Sequence, residues 1–252
     1  MHETLARYLN LDQAQETLSK EAAGQGLEEA EQRFARVARA HPEERDAIMQ
    51  GRGKSVREEV QQALLKLATQ AAVAALQQDA QLGPQVEIAR RAMAAEGADE
   101  EETAHLLALI LLEEAFTGED TPDTFDRAYV EEGLAGVPSL AALTPERLEA
   151  LREDFEGTAP EGWTRIHAMA AGAVLEAAFS DGLQPINTEH LEGAIESLRE
   201  KLGAAKAAQG REALRRFLDV LAQAKLLGPL RQARLLEVLQ RAEQSEARGP
   251  SH

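Results

Sequence analysis

The 252 residues contain no cysteine. A disulfide framework, a thiolate zinc site, an iron–sulfur cluster and a cysteine nucleophile are therefore excluded at the outset. Aromatic residues make up only 4% of the chain, and β-branched residues are sparse, so half-buried strands, which draw on both, have little to be built from. No stretch alternates strictly between apolar and polar residues. Long hydrophobic runs are missing too: the longest without glycine, Leu106 to Leu112, is about a third of the ~20 residues a membrane-spanning helix needs. Basic charge is also short, 27 Lys and Arg against 44 Asp and Glu for a net −17, which opposes binding of the surface as a whole to nucleic acid or an anionic membrane.

The segment Met1 to Tyr8 has no basic region followed by an apolar one, and His2 stands where myristoylation needs glycine, so a cytoplasmic location without a membrane is expected. Arginine exceeds lysine 21 to 6 and alanine is abundant, a composition expected of a GC-rich bacterial genome.

What the chain does have is helical periodicity. Val56, Val60, Leu64, Leu67, Ala71 and Ala75 recur at three and four and share one stripe of a helix. Ser55 with Glu58 and Asp99 with Glu102 have the spacing of capping boxes. Thr121-Pro122 and Thr144-Pro145 read as an N-cap followed by proline at the first helical position, and Asn187 or Thr188 can open another helix. The expected fold is all-α, a multi-helix bundle of roughly eleven to thirteen helices in one or two packed subdomains. In order, helices are predicted over 3–9, 12–23, 27–40, 42–50, 54–80, 84–96 and 100–116, then 122–132, 145–156, 163–180, 188–209, 211–227 and 229–243. Leucine and isoleucine surround most of the 100–116 segment, marking it as a core helix.

Charge divides the chain. Between Glu96 and Glu161 there are 19 acidic and 3 basic residues, whereas Arg199 to Arg241 holds 10 basic and 4 acidic. The divisions expected are an N-terminal helical region over 1–96, acidic central helices with a basic C-terminal hairpin over 97–245, and a disordered tail over 246–252. An internal echo is also present. Leu112-Glu113-x-Ala115-Phe116 recurs as Leu175-Glu176-x-Ala178-Phe179, 63 residues on, each followed six residues later by a proline. An old duplication and the chance similarity of Ala- and Leu-rich helices both account for it.

Candidate chemistry is thin. Gly51-Arg52-Gly53-Lys54-Ser55 looks like the tail of a phosphate-binding loop, but Ile48 replaces the required first glycine and a helix rather than a strand is expected before it. Glu102 and His105 have the Glu-x-x-His spacing of di-iron bundles, yet no other histidine supplies the second pair. Trp163, the only tryptophan, reads as a lid on the core. Ser180, Ser197 and His190 have no companion in the sequence that would make a hydrolytic site. The stretch from Ile186 to Ile195, with Asn187-Thr188-Glu189-His190-Leu191, resembles the helix-opening signature in the amino-terminal repeat domain of Clp chaperones. The resemblance covers those ten residues and carries no fold or function with it.

The basic C-terminal helices are the most informative surface. Arg211, Arg215 and Arg216 lie together on one helix opposite Leu214, Leu218 and Leu221, and Arg231 with Arg234 repeats the arrangement beside Leu235, Leu236 and Leu239. The expectation is a non-enzymatic regulatory or adaptor protein acting through protein–protein contacts, with those five arginines as the interaction residues and the acidic region Glu119 to Glu132 as their complement. No cofactor or metal is expected, and self-association into a homo-oligomer is left open. Two alternatives stand beside it: nucleic-acid binding by the C-terminal helices, and a helical metal-carboxylate enzyme using Glu102, His105, Glu113, His167 and Glu176.

Overall fold

The structure, a computed structural model, describes residues 7–51, 58–117, 126–180 and 182–247. The helix starts expected at Glu3 and Thr121, the Ser55 cap, most of the Gly51 to Ser55 loop and the tail beyond 247 lie outside the described residues. Within them the protein is all-α and contains no strand. Twelve α-helices run in order: α1 Leu11–Ala22, α2 Glu29–Ala40, α3 Pro42–Gln50, α4 Glu58–Gln78, α5 Gly83–Ala95, α6 Glu100–Thr117, α7 Arg127–Ala141, α8 Pro145–Gly157, α9 Thr164–Phe179, α10 Thr188–Leu202, α11 Ala207–Gln223 and α12 Pro229–Ala247. A short 3₁₀ turn, Ala204–Lys206, joins α10 to α11. No helix among the described residues is long and apolar enough to cross a membrane.

The chain divides into two compact units, 1–94 with 98–131 and 95–97 with 132–252, the boundary falling inside α7. In the first unit α4 is the central helix, with α2, α3 and α6 packed on it. Ten of its residues are buried, from Val60 through Leu67 and Ala71 to Leu76, which follows from the apolar stripe in its sequence. Helix α6 is covered less completely than its composition suggests. Leu106, Leu107, Ile110 and Leu111 are buried, while Leu109 and Leu112 are half-buried. Apolar residues spread around a helix do not reveal which side its neighbours will take. Against α2, Tyr8 stacks on Phe34 with centroids 4.1 Å apart, and the buried Glu31 is held by the Glu28 amide, Arg7 and Lys20.

In the second unit α9 lies against α8, α10 and α11, and α12 packs on α10 and α11. The core gathers Phe155, Val174, Leu191, Leu198, Leu214, Phe217, Leu218 and Leu235. Caps anticipated from sequence set several helix starts. The Thr144 hydroxyl accepts from the Arg147 amide before Pro145, Asp99 and Glu102 exchange backbone hydrogen bonds at the head of α6, and Asn187 with His190 does the same for α10.

Two expected boundaries move. A single helix over 188–209 is expected, broken at Gly210, but the break falls at Gly203, whose φ of +71° belongs to the region glycine tolerates. Gly210 instead lies buried inside α11, where a Cβ would meet Leu202 Cδ1 at 3.1 Å. The helix expected to stop at Glu132 continues to Ala141, with Pro138 inside it. Burial of Leu134, Val137 and Leu140 outweighs the hydrogen bond the proline cannot donate.

Candidate interaction site

Helix α11 is strongly amphipathic. Ala207, Gly210, Ala213, Leu214, Phe217, Leu218 and Leu221 face the core, which leaves Arg215 and Arg216 on its outer side at 34% and 44% exposure. Glu212, one turn earlier, pairs with both: Arg215 at 3.0 Å and Arg216 at 3.0 Å. Such i,i+3 and i,i+4 pairs follow from helix geometry alone. Arg215 also reaches Glu243 of α12 at 2.9 Å. The hydrogen bond from Arg216 outweighs the opposing effect of burial and, with a smaller contribution from Arg215, holds the Glu212 carboxyl below its usual range. Arg215 is raised, first by Glu243 and then by Glu212. The guanidiniums are thereby held in place by carboxylates on rigid helices.

The second half of the site comes from the start of α9. Trp163, half-buried and immediately before that helix, lies under the Arg216 guanidinium, 6.0 Å from carbon Cζ to ring centroid. Its ring stands edge-on to His167 at 6.4 Å. His167 stacks on Phe155 at 4.2 Å, and Phe155 meets Phe217 at 4.9 Å. One continuous series therefore runs from an exposed cation through tryptophan and histidine to the core phenylalanines. Three of the chain's nine aromatic residues, Trp163, Phe155 and Phe217, meet at this corner, and the cation–π and ring contacts fix its shape.

The other predicted arginines are placed differently. Arg211 and Arg231 are buried, at 9% and 4% exposure, and Arg234 is half-buried. Of the acidic complement, residues 118–125 lie outside the described residues. Glu132 does meet the basic hairpin, but through the backbone: its carboxylate accepts from the Leu230 amide at 2.7 Å and the Arg231 amide at 2.8 Å. It caps the first turn of α12, where orphan amides and the helix dipole favour a negative charge. Gly228 makes room for it, since a Cβ there would sit 2.1 Å from the Glu132 side chain.

The residues of the metal-carboxylate alternative are engaged separately. Glu102 accepts the Asp99 amide, Glu113 accepts the Tyr129 hydroxyl, and His105 and Glu176 are exposed. His167 is fully buried, its Nδ1 placed to donate to the Phe155 carbonyl at 3.3 Å. Among the described residues no three His, Asp or Glu side chains come together as a metal site. A cleft lined by Ile195, Leu198, Arg199, Ala207, Arg211 and Leu214 has a volume near 10 Å³, room for about one water molecule and too small for a substrate.

The contribution of Glu212 was readable from spacing on one helix. That of Trp163 was not, because it stands 53 residues from Arg216 in sequence and only the packing of α9 on α11 joins them. Comparison with protein-family models, with curated proteins and with solved structures finds no match to this chain.

Proposed function

We propose that the protein is a non-enzymatic helical regulatory or adaptor protein that acts through protein–protein contacts, in the cytoplasm of a bacterium, with self-association as one form of that contact. The observation that carries this reading is the Arg216–Trp163 pair with Arg215 beside it. Tryptophan and arginine are the residue types that dominate binding energy at protein interfaces, most of all when held rigid before the partner arrives. Here the ring is fixed by His167 and the guanidiniums by Glu212 and Glu243. A partner surface that offers carboxylates around an apolar contact fits such a platform.

The test is affinity capture from the native lysate with the parent protein and a Trp163→Ala/Arg216→Glu variant, alongside light scattering for self-association. The parent is expected to retain a protein, or a second copy of itself, that the variant loses by about tenfold or more. Equal recovery by parent and folded variant removes the platform from the interface. Retention of nucleic acid that weakens steeply with salt favours the alternative reading of the C-terminal helices.

A further inference from the structure

The echo at Leu112 and Leu175 extends to whole helices. Helices α5, α6 and α7 contain 13, 18 and 15 residues, and α8, α9 and α10 contain 13, 16 and 15 in the same order. Corresponding helices begin 61 to 64 residues apart. The first helix of each set carries one pattern. Val86-Glu87-x-Ala89-Arg90 with Met93 becomes Leu148-Glu149-x-Leu151-Arg152 with Phe155, and it returns in α11 as Arg211-Glu212-x-Leu214-Arg215 with Leu218. Between the last two, Glu-Ala-Leu-Arg is identical, and both copies close the same i,i+3 ion pair, at 2.5 and 3.0 Å.

The second helices share one buried stripe. Thr103, Leu107, Ile110 and Leu111 of α6 are buried, and so are Ile166, Ala170, Ala173 and Val174 of α9, 63 residues later. Beside that stripe they differ, with Ala104 and Ala108 half-buried where His167 and Ala171 are buried, and Leu106 buried where Met169 is half-buried. Helix α12 continues the series one residue further on. His167, Ala171 and Val174 of α9 answer to Arg231, Leu235 and Val238, all buried. The Leu-x-x-Ala of the echo recurs as Leu239 and Ala242. The third helices match as Val130, Gly133 and Val137 against Leu191, Ala194 and Leu198, again all buried.

One stripe breaks the pattern. Ile166, Ala170 and Ala173 of α9 are buried, at 4%, 0% and 7%, whereas their counterparts on α12 are Leu230, at 41%, the half-buried Arg234 and the exposed Glu237. The next pair sets a half-buried Ala177 against an exposed Arg241. Repeat proteins need capping units whose outer face is polar where inner units are apolar, because an inner unit presents a face made for stacking.

We propose that residues 83–247 repeat one three-helix unit of about 63 residues, and that α11 and α12 form a capping copy whose polar α12 stripe keeps a second copy of the chain from stacking there. The test restores the inner-unit residues at that stripe: Arg234→Ala, Glu237→Ala and Arg241→Ala together, with Glu189→Ala/Glu192→Ala/Glu196→Ala on α10 as a control of equal alanine content. At matched concentration the α12 variant is expected to keep its helical circular dichroism, bind an apolar dye, and rise to about twice the parent's mass or more in light scattering. The α10 control is expected to stay at the parent's mass. A folded α12 variant that matches the control overturns the proposal, and an unfolded one overturns it too, since the stripe would then be part of the core. As a second arm, Leu230→Lys should keep the parent's unfolding transition while Ile166→Lys, its counterpart in α9, loses it. Equal loss from both contradicts the capping assignment.

Discussion

Glu31 is a carboxylate in a buried setting, 3% exposed, with the Glu28 amide, Lys20 and Arg7 around it. The backbone hydrogen bond from Glu28 is the main cause that lowers its pKa, burial works against it, and Lys20 and Arg7 add to the lowering. A carboxyl depressed on folding contributes stability that is present above its ordinary pKa and is lost as pH falls through the folded value. The difference in melting temperature between the parent and Glu31→Gln is therefore expected to be fully present near neutral pH and to shrink as pH falls through and below the ordinary carboxylate range. Thermal unfolding across that range checks it, and a difference independent of pH contradicts the assignment.

Glu132 and Gly228 form a second pair at this scale. Glu132→Ala removes two hydrogen bonds from the first turn of α12 and is expected to cost about 1–2 kcal/mol. Gly228→Ala displaces the same carboxylate, so the double variant should lose clearly less than the sum of the singles. Urea unfolding of the three variants measures the coupling, and strict additivity would mean that Gly228 has no part in seating the cap. Glu28 and Glu31 have the three-residue spacing of a capping box, but the long-range partners could not be read from sequence: Arg7 and Glu31 are 24 residues apart and Glu132 and Arg231 are 99 apart, and nothing in the periodicity links them.

At the scale of elements, the sequence was most informative where local chemistry decides. The proline-led start of α8 and the capping residues of α6 and α10 stand where their spacing put them, because a cap satisfies orphan amides within one turn of itself. It was least informative where two similar residues compete for one role. Gly203 and Gly210 both qualify as breakers, and the choice rests on Leu198 and Leu202, which crowd Gly210 within α11. The two glycines should respond differently to alanine. Gly203→Ala forces a side chain into a φ of +71° and is expected to cost about 1 kcal/mol. Gly210→Ala, already helical, trades better helix propensity against the 3.1 Å approach to Leu202 and should cost less. Chemical denaturation of both ranks them, and the reverse order would place the essential break at Gly210. The interior Pro138 of α7 belongs to the same class, since a breaker by propensity is retained in a helix that burial holds together.

For the whole molecule, the segregation of charge seen in sequence takes a more local form in the structure. Arg215 and Arg216 of α11 are shared among carboxylates of their own hairpin, and Glu132 accepts from backbone amides. Of the five arginines, Arg215 and Arg216 stay on the outer side of α11 beside Trp163, whereas Arg211 and Arg231 join the interior. The all-α class and the positions of most helices were determined by the sequence itself, because scarce aromatics, absent alternation, three-four periodicity and caps all act within a few residues of one another. Which arginines are buried, which glycine breaks a helix, where tryptophan meets arginine and where an apolar stripe turns polar were decided only by tertiary structure. Each depends on residues tens of positions apart that packing alone brings into contact, and a linear pattern carries no record of that distance.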